Sequence, residues 1–191
     1  LLREAVRDKK PEGKVSYYMG VDVARSGRDE TVFTVIGVDQ NDEVYVEDVS
    51  SEKQSNVVDV CGKINEMVRD YKLETVFIDE TGLGGGLIDL AREQDIPARG
   101  VVFSLQEKAS MYKNLRLLFE NHKITLKKVD KMVYQLSYLT REYTEAGVMK
   151  IKSEEHDDYP DSLVLACRAV SSGNQWHVID VGKGLQKALF G

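Results

Sequence analysis

Two cysteines in 191 residues, Cys61 and Cys167, are too few for a disulfide framework, and both stand at apolar positions of helix-like patterns. No CxxC pair offers a soft metal site, which fits a reducing compartment. With only 3 Pro and 15 Gly, collagen-like and low-complexity architectures are excluded. No run approaches the roughly 18 apolar residues of a membrane span, and LLREAVRDKK has no signal-peptide pattern. An excess of positive charge is lacking too: 26 Lys and Arg against 32 Asp and Glu leave a net charge of −6. A basic coat for sequence-independent nucleic-acid binding is therefore not expected, because an acidic surface repels phosphate. Acids gathered around metal ions would change that conclusion, so their placement matters more than their sum. Apolar residues make up 42% of the chain, enough to bury a core, and the length suits one domain. A chain opening at Leu1 is expected to be a piece of a longer one.

Residues 1–14 are charged, with Pro11 and Gly13, and read as a linker or the end of a preceding element. Three runs rich in Val, Tyr and Phe follow, Ser16–Val23, Thr31–Val38 and Glu43–Val49, separated by turn-like breaks. They predict an antiparallel meander. The period then changes: Val57, Val60, Cys61, Ile64, Met67 and Val68 form one helical stripe behind a Ser55/Asn56 cap. TVFID (75–79) resembles a buried parallel strand, 83-LGGGLIDLARE-93 a loop entering a helix, and 99-RGVVF-103 another strand. Met111, Leu115, Leu118 and Phe119 mark one further helix, and Val129, Met132, Val133, Leu136 and Leu139 a second, with KITL between them a short strand at best. REYTEAGVMKIKS predicts a hairpin turning at Ala146-Gly147. A last helix is expected from about Pro160 to Val170, and residues 171–191 form a tail without a clear pattern. The order predicts an α/β domain over 15–170, a mixed central sheet with helices on both faces.

Four carboxylates stand where strands end or a helix begins. Asp22 lies late in GVDVA, Asp79 ends TVFID, and Asp158 and Asp161 flank the start of the last helix in 156-HDDYPDSLVLA-166. If the first strand pairs in parallel with TVFID, Asp22 and Asp79 sit side by side, since neighbouring strands are about 4.8 Å apart. That edge is where open α/β sheets place their sites. Asp158 and Asp161, three apart on a first helical turn, face the same way. Carboxylates packed so closely repel one another and raise their own pKa values, a penalty that a divalent cation removes. All-oxygen ligands select hard ions, Mg²⁺ or Mn²⁺, over zinc. Two such ions about 4 Å apart activate a water and stabilise the leaving oxygen of a phosphodiester.

Plainer readings stand beside this one. Asp22 and Asp79 also fit strand-end or turn positions, and Asp158 and Asp161 fit a cap or dipole partners of a helix starting near Pro160. Asp157 and Glu80 are expected to be solvated neighbours, and His156 a surface loop residue. The run 82-GLGGG-86 is neither GxxxxGK[ST] nor GxGxxG, so tight strand-to-helix turning explains it as well as a phosphate cradle does. Arg25, Arg28 and Lys108 are candidates to meet DNA phosphates, against the default of solvated charged loops. His122, His156 and His177 are scattered, and no Ser/His/Asp or Cys/His arrangement competes with the acids.

The ordered set GVDVARSGRDETVFTV, FIDETGLGGGLIDLARE, KASMYKNLRLLFENHKITL and HDDYPDSLVLA resembles the C-terminal nuclease domain of the large terminase subunit of tailed viruses. The match covers about residues 16–170. The resemblance implies a ribonuclease H/RuvC-like fold, an α/β architecture with an antiparallel meander plus parallel strands. It also implies an endonuclease that uses two Mg²⁺ or Mn²⁺ ions to cut concatemeric viral double-stranded DNA before and after packaging, in the host cell cytoplasm. By position, Asp22 is the first-strand acid, Asp79 the second-strand acid, and Asp158 and Asp161 the last-helix acids of the HDDxxD pattern. An upstream ATPase motor, the portal and the small terminase subunit are the implied partners. No GxxxxGK[ST] occurs, so the motor itself is not in this sequence, and residues 1–14 would be the link to it. A RuvC-like resolvase or an integrase is the alternative within the fold, and the REYTEAGVMKIKS hairpin favours the terminase. An actin-like nucleotide-binding fold would need a second matching subdomain, for which 191 residues are too few. A non-enzymatic capsid-docking module would leave the acid cluster unexplained.

Overall fold

The structure, a computed structural model, describes residues 1–170 apart from 8, 10, 12, 25–29, 54–55, 146 and 154–155. Arg25, Arg28, His177 and the tail 171–191 therefore lie outside the described residues. Within the expected linker, one helical turn, α1 (Leu2–Ala5), buries Ala5, and Val6 forms a parallel bridge to Leu126. The three Val- and Tyr-rich runs form the meander: β1 (Val15–Asp22), β2 (Glu30–Asp39) and β3 (Val44–Lys53), antiparallel throughout. β2 is buried along nearly its whole length because both of its alternating faces are covered.

Helix α2 (Val57–Tyr71) starts where Asn56 Oδ1 accepts the Asp59 N–H at 2.9 Å. It leads to β4 (Thr75–Asp79), which lies parallel to β1. Helix α3 (Gly84–Glu93) then leads to β5 (Ala98–Val101), parallel to β4. Helix α4 (Leu105–Glu120), capped by Ser104, is followed by β6 (Ile124–Thr125), a short strand parallel to β3. The sheet order is β5-β4-β1-β2-β3-β6. After α5 (Asp130–Ser137), strands β7 (Leu139–Tyr143) and β8 (Met149–Ser153) pair as a separate hairpin, with Gly147 at φ +75° in its turn. The last helix, α6 (Asp158–Ala166), ends in a 3-10 turn, Cys167–Ala169.

Several boundaries differ from the sequence expectation: β3 runs on to Lys53, β5 stops at Val101 and α6 ends at Ala166. Leu139 does not continue α5, because its backbone is taken by β7, where it pairs with Ser153. The last helix starts at Asp158 rather than Pro160, because the Asp161 N–H already bonds the Asp157 carbonyl at 2.8 Å. The glycine run is not an open loop either: Gly84–Gly86 form the first turn of α3. Gly82 takes φ +68°, and a Cβ on Gly84 would collide with the Asp79 carbonyl oxygen. Tight turning is thus what those glycines do.

Period-two alternation divides the core between the two faces of the sheet. Met19, Val21, Phe33 and Val35 pack with Val60, Ile64 and Met67 of α2 and with Leu87 and Ile88 of α3. Val32, Ile36, Val44 and Phe77 pack on the other face with Leu115 and Leu118 of α4, Met132 of α5 and Leu163 to Ala166 of α6. Gly20, between Met19 and Val21, points to that second face and lets α6 lie against the strand backbone. A Cβ there would lie 2.8 Å from Leu165 Cβ, and closer still to the Ser162 carbonyl and the Ala166 amide nitrogen.

Candidate active site

The same alternation aims the strand-end acids. Asp22 shares the face of Gly20, and Asp79 shares the face of Phe77, so both turn towards α6. Val21 and Ile78 are paired across the parallel β1–β4 ladder, and Asp22 and Asp79 are the next residue on each strand. Asp158 and Asp161 stand in the first turn of α6, which the missing side chain of Gly20 allows to approach. All four acids line one cleft of about 350 Å³, together with Val23, Ala24, Phe103, Lys108, His156 and Asp157. A larger cavity, about 830 Å³ between α4 and the hairpin, contains none of these acids and is mostly apolar.

Each acid is held differently. Asp79 is 2% exposed, and its Oδ1 accepts both the Thr81 N–H, at 3.0 Å, and the Thr81 hydroxyl. Asp161 is 5% exposed; Tyr112 donates its hydroxyl to Oδ1 at 2.6 Å, and Lys108 Nζ lies 2.6 Å from Oδ2. The same ammonium is 2.7 Å from Asp157 Oδ2. The Asp22 carboxylate makes no hydrogen bond to another described residue. Burial, and then repulsion from Asp161, Asp158 and Asp79, pushes its carboxyl well above the usual range. Burial also raises Asp161, to about 7, against the pull of Lys108. Burial alone would lower the Lys108 ammonium, but Asp161 and Asp157 outweigh it and hold the ammonium above its ordinary value. Burial, and then Asp161, pushes the Tyr112 hydroxyl well up.

The donor set fits a hard divalent cation. Among the described residues five carboxylates line the cleft with one ammonium, His156 is exposed at the edge, and the Asp22 carboxylate has no hydrogen-bond donor. Among the described residues no three His, Cys, Asp or Glu side chains stand ready as an ion cage. Lys108, Tyr112 and Thr81 occupy the oxygens that would ligate.

Lys108, a candidate phosphate contact by sequence, lies in the cleft, where it is tied to Asp157 and Asp161. Asp157, expected to be a solvated neighbour, is one of its partners. Tyr112 and Thr81 were not anticipated. Lys108 and Tyr112 are four apart on α4 and so share a face, which was the available signal. Thr81 sits two residues after Asp79, the spacing of a local side-chain-to-backbone turn.

The family model for the terminase RNaseH-like domain matches residues 19–169. This chain belongs to that family. No curated protein sequence matches the chain. Among solved structures, the large terminase nuclease from thermophilic phage G20c with bound magnesium superposes with a TM-score of 0.71 at 22% identity, covering 81% of this chain and 82% of that one. The large terminase of bacteriophage HK97 gives 0.70 at 13% identity, covering 88% of this chain and 42% of its own. The nuclease domain of the SPP1 large terminase with bound Mn gives 0.58 at 15% identity, covering 81% and 86%. The mixed six-stranded sheet flanked by helices is thus the ribonuclease H-like fold of terminase nuclease domains.

Proposed function

We propose that this terminase domain is a Mg²⁺- or Mn²⁺-dependent endonuclease that cuts double-stranded viral DNA during genome packaging. The observation that carries the proposal is the convergence of Asp22, Asp79, Asp158 and Asp161 in one cleft with Lys108. The G20c and SPP1 nucleases, which hold magnesium and Mn, support it by likeness of fold. Asp22, Asp79 and Asp161 would hold two ions directly, with Asp158 as a direct or water-bridged fourth ligand. When bound, the ions supply an activated water and charge stabilisation for the leaving oxygen. Asp22 needs only its own rotation to ligate, because no described donor restrains it. Asp161 has to release Lys108, whose ammonium then remains beside Asp157 as a counter-charge for the scissile phosphate. Thr81 fixes the orientation of Asp79, and Tyr112 that of Asp161.

An ATPase motor upstream of residue 1, the portal and the small terminase subunit are the partners that go with this role, in the host cytoplasm. The HK97 large terminase, of which the match covers 42%, is long enough to contain such a motor. Nicking of supercoiled plasmid tests the proposal. Cutting is expected in Mn²⁺ or Mg²⁺ with little sequence preference, and none in EDTA. Full activity in EDTA, or activity restored only by Zn²⁺, would overturn it. With a net charge of −6, DNA affinity should be weak and fall steeply with salt.

A further inference from the structure

One polar network outside the acid cleft grips the helix that carries half of the acids. The N-terminal turn of α6 receives no side-chain cap from its own N-cap residue, Asp157. Pro160 has no N–H to satisfy, and the Asp161 N–H turns back to the Asp157 carbonyl. The Tyr159 N–H is met from another helix: Gln135 of α5, 3% exposed, accepts it through Oε1 at 3.0 Å. The Tyr159 side chain is held as well. Its hydroxyl lies 3.0 Å from Ser51 Oγ at the end of the meander and 3.3 Å from Glu30 Oε2. Lys131, also on α5, bonds Glu30 Oε2 at 2.6 Å, with its ammonium 5.0 Å from the centre of the Tyr159 ring.

Tyr159 stands between Asp158 and Asp161 in the sequence, about 100° round the helix from Asp158. A grip on Tyr159 at backbone and ring therefore fixes the rotation of the turn that presents both acids. The rest of α6 has anchors of its own: Leu163, Val164, Leu165 and Ala166 are buried, and Ser162 Oγ lies 2.7 Å from Thr34 Oγ1. Loss of the grip would loosen the first turn and leave the helix seated.

We propose that Gln135 is a positioning residue: it caps α6 from α5 and, with the Glu30–Lys131 pair, sets the aim of Asp158 and Asp161 towards Asp22 and Asp79. The proposal rests on the metal-dependent reading above. A buried N–H without an acceptor is costly, so the first turn relaxes when Gln135 is removed, and side chains that orient metal-binding groups change affinity by about 10–100-fold.

The test uses the full chain with Gln135→Met, which keeps the shape and removes the acceptor. Gln135→Glu keeps an acceptor oxygen and adds a charge favourable at a helix N-terminus. Tyr159→Phe removes only the hydroxyl anchor. Mn²⁺ binding to the free protein is measured by electron paramagnetic resonance, alongside kcat and KM for plasmid nicking well below the melting temperature. Gln135→Met should weaken Mn²⁺ binding about tenfold and lower kcat while KM for DNA stays unchanged. Gln135→Glu should restore both, and Tyr159→Phe should show a smaller version of the same loss, which carries the test if Gln135→Met does not fold. A lowered melting temperature with wild-type Mn²⁺ binding and kcat would overturn the proposal, as would an equal loss in Gln135→Glu. A wild-type protein that neither binds Mn²⁺ nor cuts would fail at the metal-dependent reading, and with it this one.

Discussion

Replacing Gly20 with Ala places one methyl group between β1 and α6, where the helix rests directly on the strand. Two of the three nearest atoms, the Ser162 carbonyl oxygen and the Ala166 amide nitrogen, are helix backbone, and the third is Leu165 Cβ at 2.8 Å. No flexible side-chain end is available to swing away, so α6 as a whole has to retreat, by more than about 1 Å to reach ordinary contact. Overpacking of this kind costs about 1–3 kcal/mol, and rigid backbone on both sides argues for the upper end. The functional effect should exceed the stability effect. Gly20 is two residues from Asp22, and α6 carries Asp158 and Asp161, so the retreat opens the acid cleft itself. A misplacement of about 1 Å can cost on the order of 100-fold in rate. Gly62→Ala is the matched control: Gly62 lies inside α2 with nothing within 4 Å of its Cβ position. It should gain about 0.5–1 kcal/mol and leave cleavage alone. Plasmid nicking in Mn²⁺ and thermal melting, run on both variants, decide the matter. Wild-type cleavage and melting in Gly20→Ala would refute the claim that this contact seats α6.

Asp22→Asn and Asp79→Asn should each abolish cleavage, and Asp22→Asn should raise the metal-free melting temperature because it removes a repelled charge; near wild-type nicking by both variants would place the active site elsewhere. Asp161→Asn should abolish cleavage and Asp158→Asn should weaken it, whereas a purely capping role predicts stability changes of about 1 kcal/mol or less with nicking untouched. In EDTA the melting temperature should climb as pH is lowered from about 8 towards about 5. Asp22 and Asp161 titrate above the usual carboxylate range when folded, Asp161 at about 7, so the folded state holds protons the unfolded chain has released, and stability is lost as pH rises through that window. Below about 4.5 the slope should reverse, because Glu30 of the unfolded chain takes up a proton there while the folded carboxylate, which Lys131 holds down to about 2, does not; a melting temperature that rises from pH 5 to 8 in EDTA would contradict this account. Gly84→Ala should damage both stability and cleavage by pushing on the Asp79 carbonyl, while Gly86→Ala, with nothing within 4 Å, should leave both intact; circular dichroism melts and nicking assays compare the two.

What local pattern could determine, the sequence determined well. The Val- and Tyr-rich runs with turn-like breaks specified the meander, the stripe from Val57 to Val68 specified α2, and TVFID matched β4 residue for residue. Asp22, Asp79, Asp158 and Asp161 were legible because a carboxylate at the end of an apolar strand, or just ahead of an apolar helix, stands out against it. The residues that restrain those acids were not legible in the same way. Lys108 and Tyr112 meet Asp157 and Asp161 only because α4 and α6 pack on the same face of the sheet, and 49 residues or more separate the partners in sequence. The grip of Gln135 and Glu30 on Tyr159 joins residues 24 and 129 positions apart. Whether Leu139 ends a helix or opens a strand was likewise decided by its partner Ser153 across the hairpin. Periodicity reports which face of an element is buried, since that depends on neighbours within a turn or two. Which buried face meets which, and therefore which cation neutralises which acid, depends on the packing of whole elements, where one missing side chain at Gly20 decides how near α6 can come.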